Sequence, residues 1–129
     1  GLWAAGDIAT FPLNNQYLRI EHWRLAQQQA RIAAANMLGG DEHYLDVPFF
    51  WTWHFGKTSD YLGHAQAWDE VEFKGDPYDP PVIGLFGKNG VVSAAVACEM
   101  DRAMATLAER MKQPLPWEEA WRLIRDLPA

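Results

Sequence analysis

Residues 82–97 read VIGLFGKNGVVSAAVA, two apolar runs on either side of Lys88-Asn89-Gly90. Asn-Gly between apolar runs is the strongest short-range signal for a β-hairpin, because the tight turn needs residues that adopt positive φ. This stretch therefore predicts two antiparallel strands, at residues 82–86 and 91–97.

Three more β-type runs precede this hairpin, at residues 49–55, 60–65 and 69–74. Short turns separate them, and the proline-rich residues 76–81 predict a loop before the hairpin. Five consecutive strands with short connections are typical of an antiparallel sheet. We therefore expect a sheet of about five strands in this part of the chain.

Two helices are predicted after the sheet. The first carries apolar residues at helical spacing, namely Met100, Ala103, Met104, Leu107, Ala108 and Met111. Pro114 and Pro116 then precede a second amphipathic helix at residues 117–125. Strands followed by helices predict an α+β fold in which the helices cover one face of the sheet.

The first third of the chain has a different pattern. Residues 1–7, GLWAAGD, predict a buried strand that ends in a turn, and a polar loop follows at residues 14–17. A long helix is predicted at residues 22–38, with one face formed by Trp23, Ala26, Ala30, Ala33 and Met37. An acidic linker ends at residue 46, so we divide the chain into residues 1–46 and 47–129. A strand at the first residue needs neighbours to pair with, so we interpret the chain as a fragment of a longer protein.

Composition excludes some functions. The chain has 11 Lys and Arg against 17 Asp and Glu, a net charge of -6, which argues against a general binder of nucleic acid or anionic membranes. No apolar run approaches the roughly 18 residues of a membrane span. The single cysteine, Cys98, cannot form a disulfide framework, so we expect a cytoplasmic protein.

Several common motifs fail on inspection. Gly56-Lys57-Thr58 resembles the end of a phosphate-binding loop, but Trp51 stands where the first glycine is required. No GxGxxG dinucleotide fingerprint is present. The four histidines include no pair spaced i, i+4, and one cysteine cannot make a thiolate zinc site, so we expect no metal site.

The remaining candidates lie near the N-terminal helix. Asp7 follows a predicted strand, where a carboxylate can accept hydrogen bonds from ligand hydroxyls, or it is only a turn residue. Glu21-His22-Trp23 lies at the start of the helix, where N–H groups favour an anionic ligand. The alternative for that segment is a helix cap with an aromatic staple.

The run at residues 49–55 carries three aromatic residues on one predicted face, Trp51, Trp53 and Phe55. Strand alternation places residues 50, 52 and 54 on the other face. A core stripe is the favoured interpretation of the three aromatics, and a site for a flat ligand or a partner is the alternative.

Five segments together resemble the C-terminal third of FAD-dependent NAD(P)H reductases, the family of ferredoxin, rubredoxin and putidaredoxin reductases and apoptosis-inducing-factor-like proteins. They are LWAAGDIA at 2–9, RIEHW at 19–23, AQQQA at 26–30, NMLG at 36–39 and VPFFWT at 47–52. The resemblance runs in order over nearly the whole chain. It is most specific before residue 51 and weak after about Met111.

The resemblance implies a function and site residues. Asp7 is similar to the aspartate that binds the FAD ribityl chain. The helix start at Glu21-His22-Trp23 is similar to the segment that lies beside the isoalloxazine ring. Trp51 is similar to the aromatic that lies near the flavin on the side where an iron–sulfur partner docks. The implied cofactors are FAD and NAD(P)H, the implied partner is a ferredoxin-like protein, and a homodimer is expected. Residues 1–46 would be the truncated end of an FAD-binding α/β domain, contributing a strand and the long helix, and residues 47–129 the reductase C-terminal domain.

Two departures from the family pattern limit these expectations. Trp53 stands where many relatives carry an acidic or polar residue, and the dinucleotide-binding regions of the family are absent from this chain. We therefore expect residues 1–129 alone to hold FAD weakly and to lack turnover. The alternatives are a non-enzymatic dimerisation or binding module, or part of a related flavin disulfide reductase or oxidase.

Overall fold

A computed structural model describes residues 1–13 and 16–127. The chain forms two compact units, residues 1–46 and residues 47–129. Within the described ranges, no helix is both long and apolar enough to cross a membrane.

The first unit contains a short hairpin and a long helix. Strands β1 (Phe11–Leu13) and β2 (Gln16–Leu18) pair antiparallel, and helix α1 spans Trp23–Met37. Phe11, Leu18 and Leu25 form the buried cluster that joins hairpin and helix. The predicted helix is confirmed. The predicted polar loop is not a loop throughout, because Gln16 and Tyr17 belong to β2; its other two residues, Asn14 and Asn15, lie outside the described residues.

The predicted strand at residues 1–7 is not present. Residues 1–5 have no regular structure, and Gly6–Ile8 forms a single 3-10 turn. A strand needs a neighbour for its N–H and C=O groups, and among the described residues none pairs with this segment. The apolar composition of residues 1–5 was therefore insufficient to predict a strand.

The buried face of α1 also differs from the prediction. Leu25 and Gln29, one helical turn apart, are its buried residues, whereas Trp23, Ala30 and Met37 are exposed. The face predicted from the alanine spacing therefore lies on a different side of the helix from the face that is buried. The hairpin packs against Leu25, and this tertiary contact decides which side of the helix is covered.

The second unit is built on a five-stranded antiparallel sheet, which confirms the predicted α+β architecture. Its spatial order is β3-β4-β7-β6-β5. The strands are β3 (Phe49–His54), β4 (Lys57–Gly63), β5 (Glu70–Asp76), β6 (Asp79–Lys88) and β7 (Val91–Cys98). Asn89 and Gly90 both have positive φ in the β6–β7 turn, as the Asn-Gly signal predicted.

Two helices cover one face of this sheet. Helix α2 spans Asp101–Arg110 and α3 spans Trp117–Arg125, in agreement with the predicted periodicity. Ile83 and Leu85 of β6 are fully buried in one core with Met104, Leu107 and Ile124 of the helices. Because this cluster is continuous, the helices and the central strands form a single core.

The loop predicted at residues 76–81 is largely strand. Strand β5 ends at Asp76, which pairs with Asp79, the first residue of β6. Proline has no N–H group to donate to a neighbouring strand. It is tolerated at Pro80 and Pro81 because β7 pairs with β6 only from Val82 onward, so no hydrogen bond to β7 is lost there. Composition alone therefore overestimated the length of this turn.

Lys74 of β5 secures the C-terminal end of α3. Its Nζ donates to the carbonyl oxygens of Ile124 (2.9 Å), Arg125 (3.2 Å) and Leu127 (2.8 Å). We expect Lys74→Met to lower the free energy of unfolding by about 1–2 kcal/mol, because these carbonyls lose a charged donor. Urea denaturation measures the change. The exposed Lys88→Met is the matched control, and equal effects of the two substitutions would contradict a capping role for Lys74.

Candidate functional site

The turn Gly6–Ile8 presents Asp7. Gly6 begins it with φ +78°, a conformation that favours glycine, and the amide of Ala9 donates to the Gly6 carbonyl at 2.9 Å. On the side facing α1, the Gly6 amide donates to Oε1 of Gln29 at 2.8 Å. The backbone around Asp7 is thus fixed by local and long-range hydrogen bonds, while Asp7 itself is exposed.

Arg19 links Asp7 to Glu21. Its Nη1 donates to the Asp7 carbonyl at 3.2 Å, and its Nη2 lies 2.6 Å from a carboxylate oxygen of Glu21. Both members of this ion pair are more than half exposed, so the pair itself adds little stability. The ion pair instead fixes a geometry: Glu21 orients the Arg19 guanidinium, which contacts the Asp7 carbonyl.

His22 caps helix α1, which is the cap interpretation that the sequence left open. Its Nδ1 accepts a hydrogen bond from the Leu25 amide at 3.2 Å. Burial and then Arg24 lower the pKa of His22, and the Asp7 carboxylate acts in the opposite direction. The influence of Asp7 on His22 places the turn and the helix start in one electrostatic environment. Trp23, the first residue of the helix, is 51% exposed.

The lowered pKa of His22 predicts a pH dependence. Because the folded chain disfavours the protonated imidazole, the contribution of His22 to stability is complete above its ordinary pKa of 6.5 and decreases as pH falls below it. We expect the Leu25 amide to lose protection from hydrogen exchange, after correction for intrinsic rates, as pH falls through this range. A His22→Asn variant keeps a cap that does not titrate and should abolish the loss. Identical profiles in both proteins would contradict this account.

Trp51 lies in the other unit, on edge strand β3, and is 43% exposed. Trp53 is 66% exposed, and Phe55 lies beyond the end of β3 and is fully exposed, with φ +53°. The core interpretation of this aromatic stripe is therefore wrong. Phe49, at the inner end of the strand, packs against the core, but the core does not extend along β3 to Trp53.

The structure thus brings together four of the five predicted site residues, Asp7, Glu21, His22 and Trp23, all within the first unit. Sequence reasoning missed Arg19 and Gln29, which contact the Asp7 turn through hydrogen bonds. Nothing distinguishes Gln29 from its glutamine neighbours in the run at residues 27–29. The only available signal was its spacing of four from Leu25.

Comparison with known proteins gives relatives but no matching family model. The chain is 37% identical over 112 residues to apoptosis-inducing factor 3 of Mus musculus and of Homo sapiens, an alignment that covers 84% of this chain and 18% of each relative. It is 36% identical over 98 residues to the anthranilate 1,2-dioxygenase system ferredoxin–NAD(+) reductase component of Burkholderia cepacia, covering 73% of this chain and 24% of that protein. The chain therefore spans about a quarter or less of these relatives.

Solved structures show the same fold. Putidaredoxin reductase, in its covalent complex with putidaredoxin, matches with a TM-score of 0.80 at 19% identity, over 95% of this chain and 33% of that one. The ferredoxin reductase of Rhodopseudomonas palustris matches with a TM-score of 0.74 at 22% identity, over 90% of this chain and 30% of that one. Together with the sequence relatives, these matches confirm the resemblance inferred from the sequence.

Proposed function

Because this chain is a homologue of apoptosis-inducing factor 3 and of ferredoxin–NAD(+) reductase components, we propose that it is the C-terminal part of an FAD-dependent NAD(P)H oxidoreductase. The electron acceptor in this proposal is a ferredoxin-like iron–sulfur protein. Residues 1–46 are the end of the FAD-binding domain, and residues 47–129 are the reductase C-terminal domain. The compact units of the structure support this division.

The Asp7 turn is the observation that carries the proposal. An exposed carboxylate on a backbone held by Gln29 and Arg19 suits the hydroxyl groups of a ribityl chain, because hydroxyls donate and carboxylates only accept. Gly6, which has no side chain, keeps the turn close to α1. The residues present therefore fit FAD, which supplies hydride acceptance and single-electron transfer when it is bound.

The start of α1 is the second part of the flavin site. A helix of 15 residues has unsatisfied N–H groups and a positive dipole end at its N-terminus, which stabilise negative charge nearby. We assign Trp23 to contact with the flavin ring, and His22 to holding the helix start in place. Glu21 acts through Arg19 and the Asp7 carbonyl, so it is a supporting residue of this site.

Trp51 and the end of the β3–β4 hairpin form the partner-facing part of the proposal. Trp53 and Phe55 are exposed there, and Lys57 lies opposite His54 in the first pair of the hairpin. Aromatic residues beside a cation suit an acidic protein partner, even though the chain as a whole has a charge of -6. A homodimer and a cytoplasmic location remain parts of the proposal, and light scattering of the full-length gene product tests the dimer.

The decisive experiment uses the full-length gene product. We expect it to purify with visible flavin absorbance that bleaches when NADH or NADPH is added anaerobically. It should then reduce cytochrome c only when a ferredoxin is present. A full-length protein that stays colourless after FAD is supplied would overturn the proposal and favour a binding module. Residues 1–129 alone should hold FAD weakly.

A further inference from the structure

Gln29 is a buried polar residue on the inward side of α1. It is 7% exposed and lies one turn after the fully buried Leu25. Burying an amide side chain is costly unless it is hydrogen bonded, and the Oε1 of Gln29 accepts from the Gly6 amide at 2.8 Å. This bond joins two segments that are 23 residues apart in sequence. Gln29 therefore serves the turn rather than the helix on which it lies.

The bond from Gln29 fixes the turn immediately before Asp7. Gly6 lies so close to the helix that a Cβ atom there would approach the Cβ of Ala26 to 3.3 Å. On the other side of the turn, Arg19 Nη1 holds the Asp7 carbonyl. The backbone on both sides of the Asp7 side chain is thus anchored, by one partly buried hydrogen bond and one exposed hydrogen bond.

We propose that Gln29 is the positioning residue for Asp7, which holds the carboxylate where it meets the FAD hydroxyls. This inference rests on the proposed function of Asp7. Gln29 has no direct role toward the flavin and acts through the Gly6 amide. A turn that is ordered before binding loses less conformational entropy when the ligand arrives, so the bond contributes to affinity without a contact of its own.

A double-mutant cycle on FAD affinity tests this inference in the full-length gene product. Gln29→Met preserves side-chain length but removes the acceptor, so we expect the dissociation constant for FAD to rise about tenfold. In an Asp7→Asn background the same change should have almost no further effect, because residues that act as a unit are not additive. Gln27→Met makes the identical substitution at an exposed position two residues away and should leave affinity unchanged.

A conservative variant separates positioning from general stability. Gln29→Glu retains an acceptor oxygen for the Gly6 amide, so FAD affinity should return toward that of the wild type. If Gln29→Met does not fold, Gln29→Ala replaces it in the cycle, because the smaller side chain leaves room for a water at the amide.

The outcomes distinguish this inference from the proposed function on which it rests. If Asp7→Asn leaves FAD affinity unchanged, the role of Asp7 itself is wrong. Two other results would show that Gln29 does not position Asp7, provided that Asp7→Asn weakens binding. In the first, Gln29→Met has no effect on FAD affinity; in the second, its effect adds fully to that of Asp7→Asn. Coupling between the two substitutions, with Gln27→Met neutral, is the supporting result.

Discussion

Asp7→Asn should weaken FAD binding to the full-length gene product about a hundredfold, since hydrogen bonds to a charged acceptor are about twice as strong as those between neutral groups. Asn has the same shape as Asp but replaces one acceptor oxygen with a donor, which cannot receive a ribityl hydroxyl. The fold of the turn should survive, because its stabilising bonds use the backbone of Gly6 and Asp7. Titration of the apoprotein with FAD, followed by flavin fluorescence, measures the loss.

Asp41→Asn is the matched control for Asp7. Asp41 belongs to the same unit and is exposed, and its carboxylate lies 3.6 Å from His43 in the acidic linker. The substitution changes the net charge by the same amount as Asp7→Asn, so it reports any general electrostatic effect on FAD. If both variants bind FAD equally well, the carboxylate of Asp7 has no specific role.

Gly63→Ala should lower the free energy of unfolding of the second unit by about 3–4 kcal/mol, through backbone strain and overpacking together. Gly63 ends β4 with φ +80°, and a Cβ atom there would overlap the carbonyl oxygen of Ser93 in the neighbouring strand β7. That oxygen also accepts from the His64 amide at 3.0 Å, so the backbone cannot easily move away.

Gly90→Ala separates the two causes. Gly90 has φ +74°, close to that of Gly63, but no heavy atom lies within 4 Å of the position its Cβ would take. Its substitution should therefore cost only the strain of the left-handed conformation, about 1 kcal/mol. Urea denaturation of the three proteins gives the comparison. Similar losses for both alanine variants would show that the close approach to Ser93 is unimportant.

The elements that sequence predicted well are those decided by neighbours along the chain. Asn89-Gly90 specifies its turn through the φ values of two residues, and the two apolar runs beside it predict the strands that flank the turn. Apolar residues spaced three or four positions apart predicted the helices, and the predicted ends lie within a residue or two of the observed ends. The α+β order of strands and helices could therefore be predicted from the sequence alone.

The elements that sequence predicted poorly depend on what lies across space. Residues 1–5 are apolar, but no strand in the described part of the chain pairs with them. Residues 76–81 are rich in proline, but Pro80 and Pro81 lie where β7 no longer pairs with β6. Of the predicted aromatic stripe, Trp51 and Trp53 lie on β3 and Phe55 lies beyond its end. All three are exposed, because β3 is an edge strand of the described sheet and the helices pack over the centre of the sheet.

The same division holds for the candidate site. The sequence by itself determined the candidates Asp7 and Glu21-His22-Trp23. The predicted helix start is present in the structure, whereas Asp7 lies in a 3-10 turn and not at the end of the predicted strand. Only the tertiary structure decided that Gln29 faces Gly6 and that Arg19 reaches the Asp7 carbonyl. A glutamine can hydrogen bond to water or to a distant amide equally well, and burial of one helix face against the turn selects the second partner.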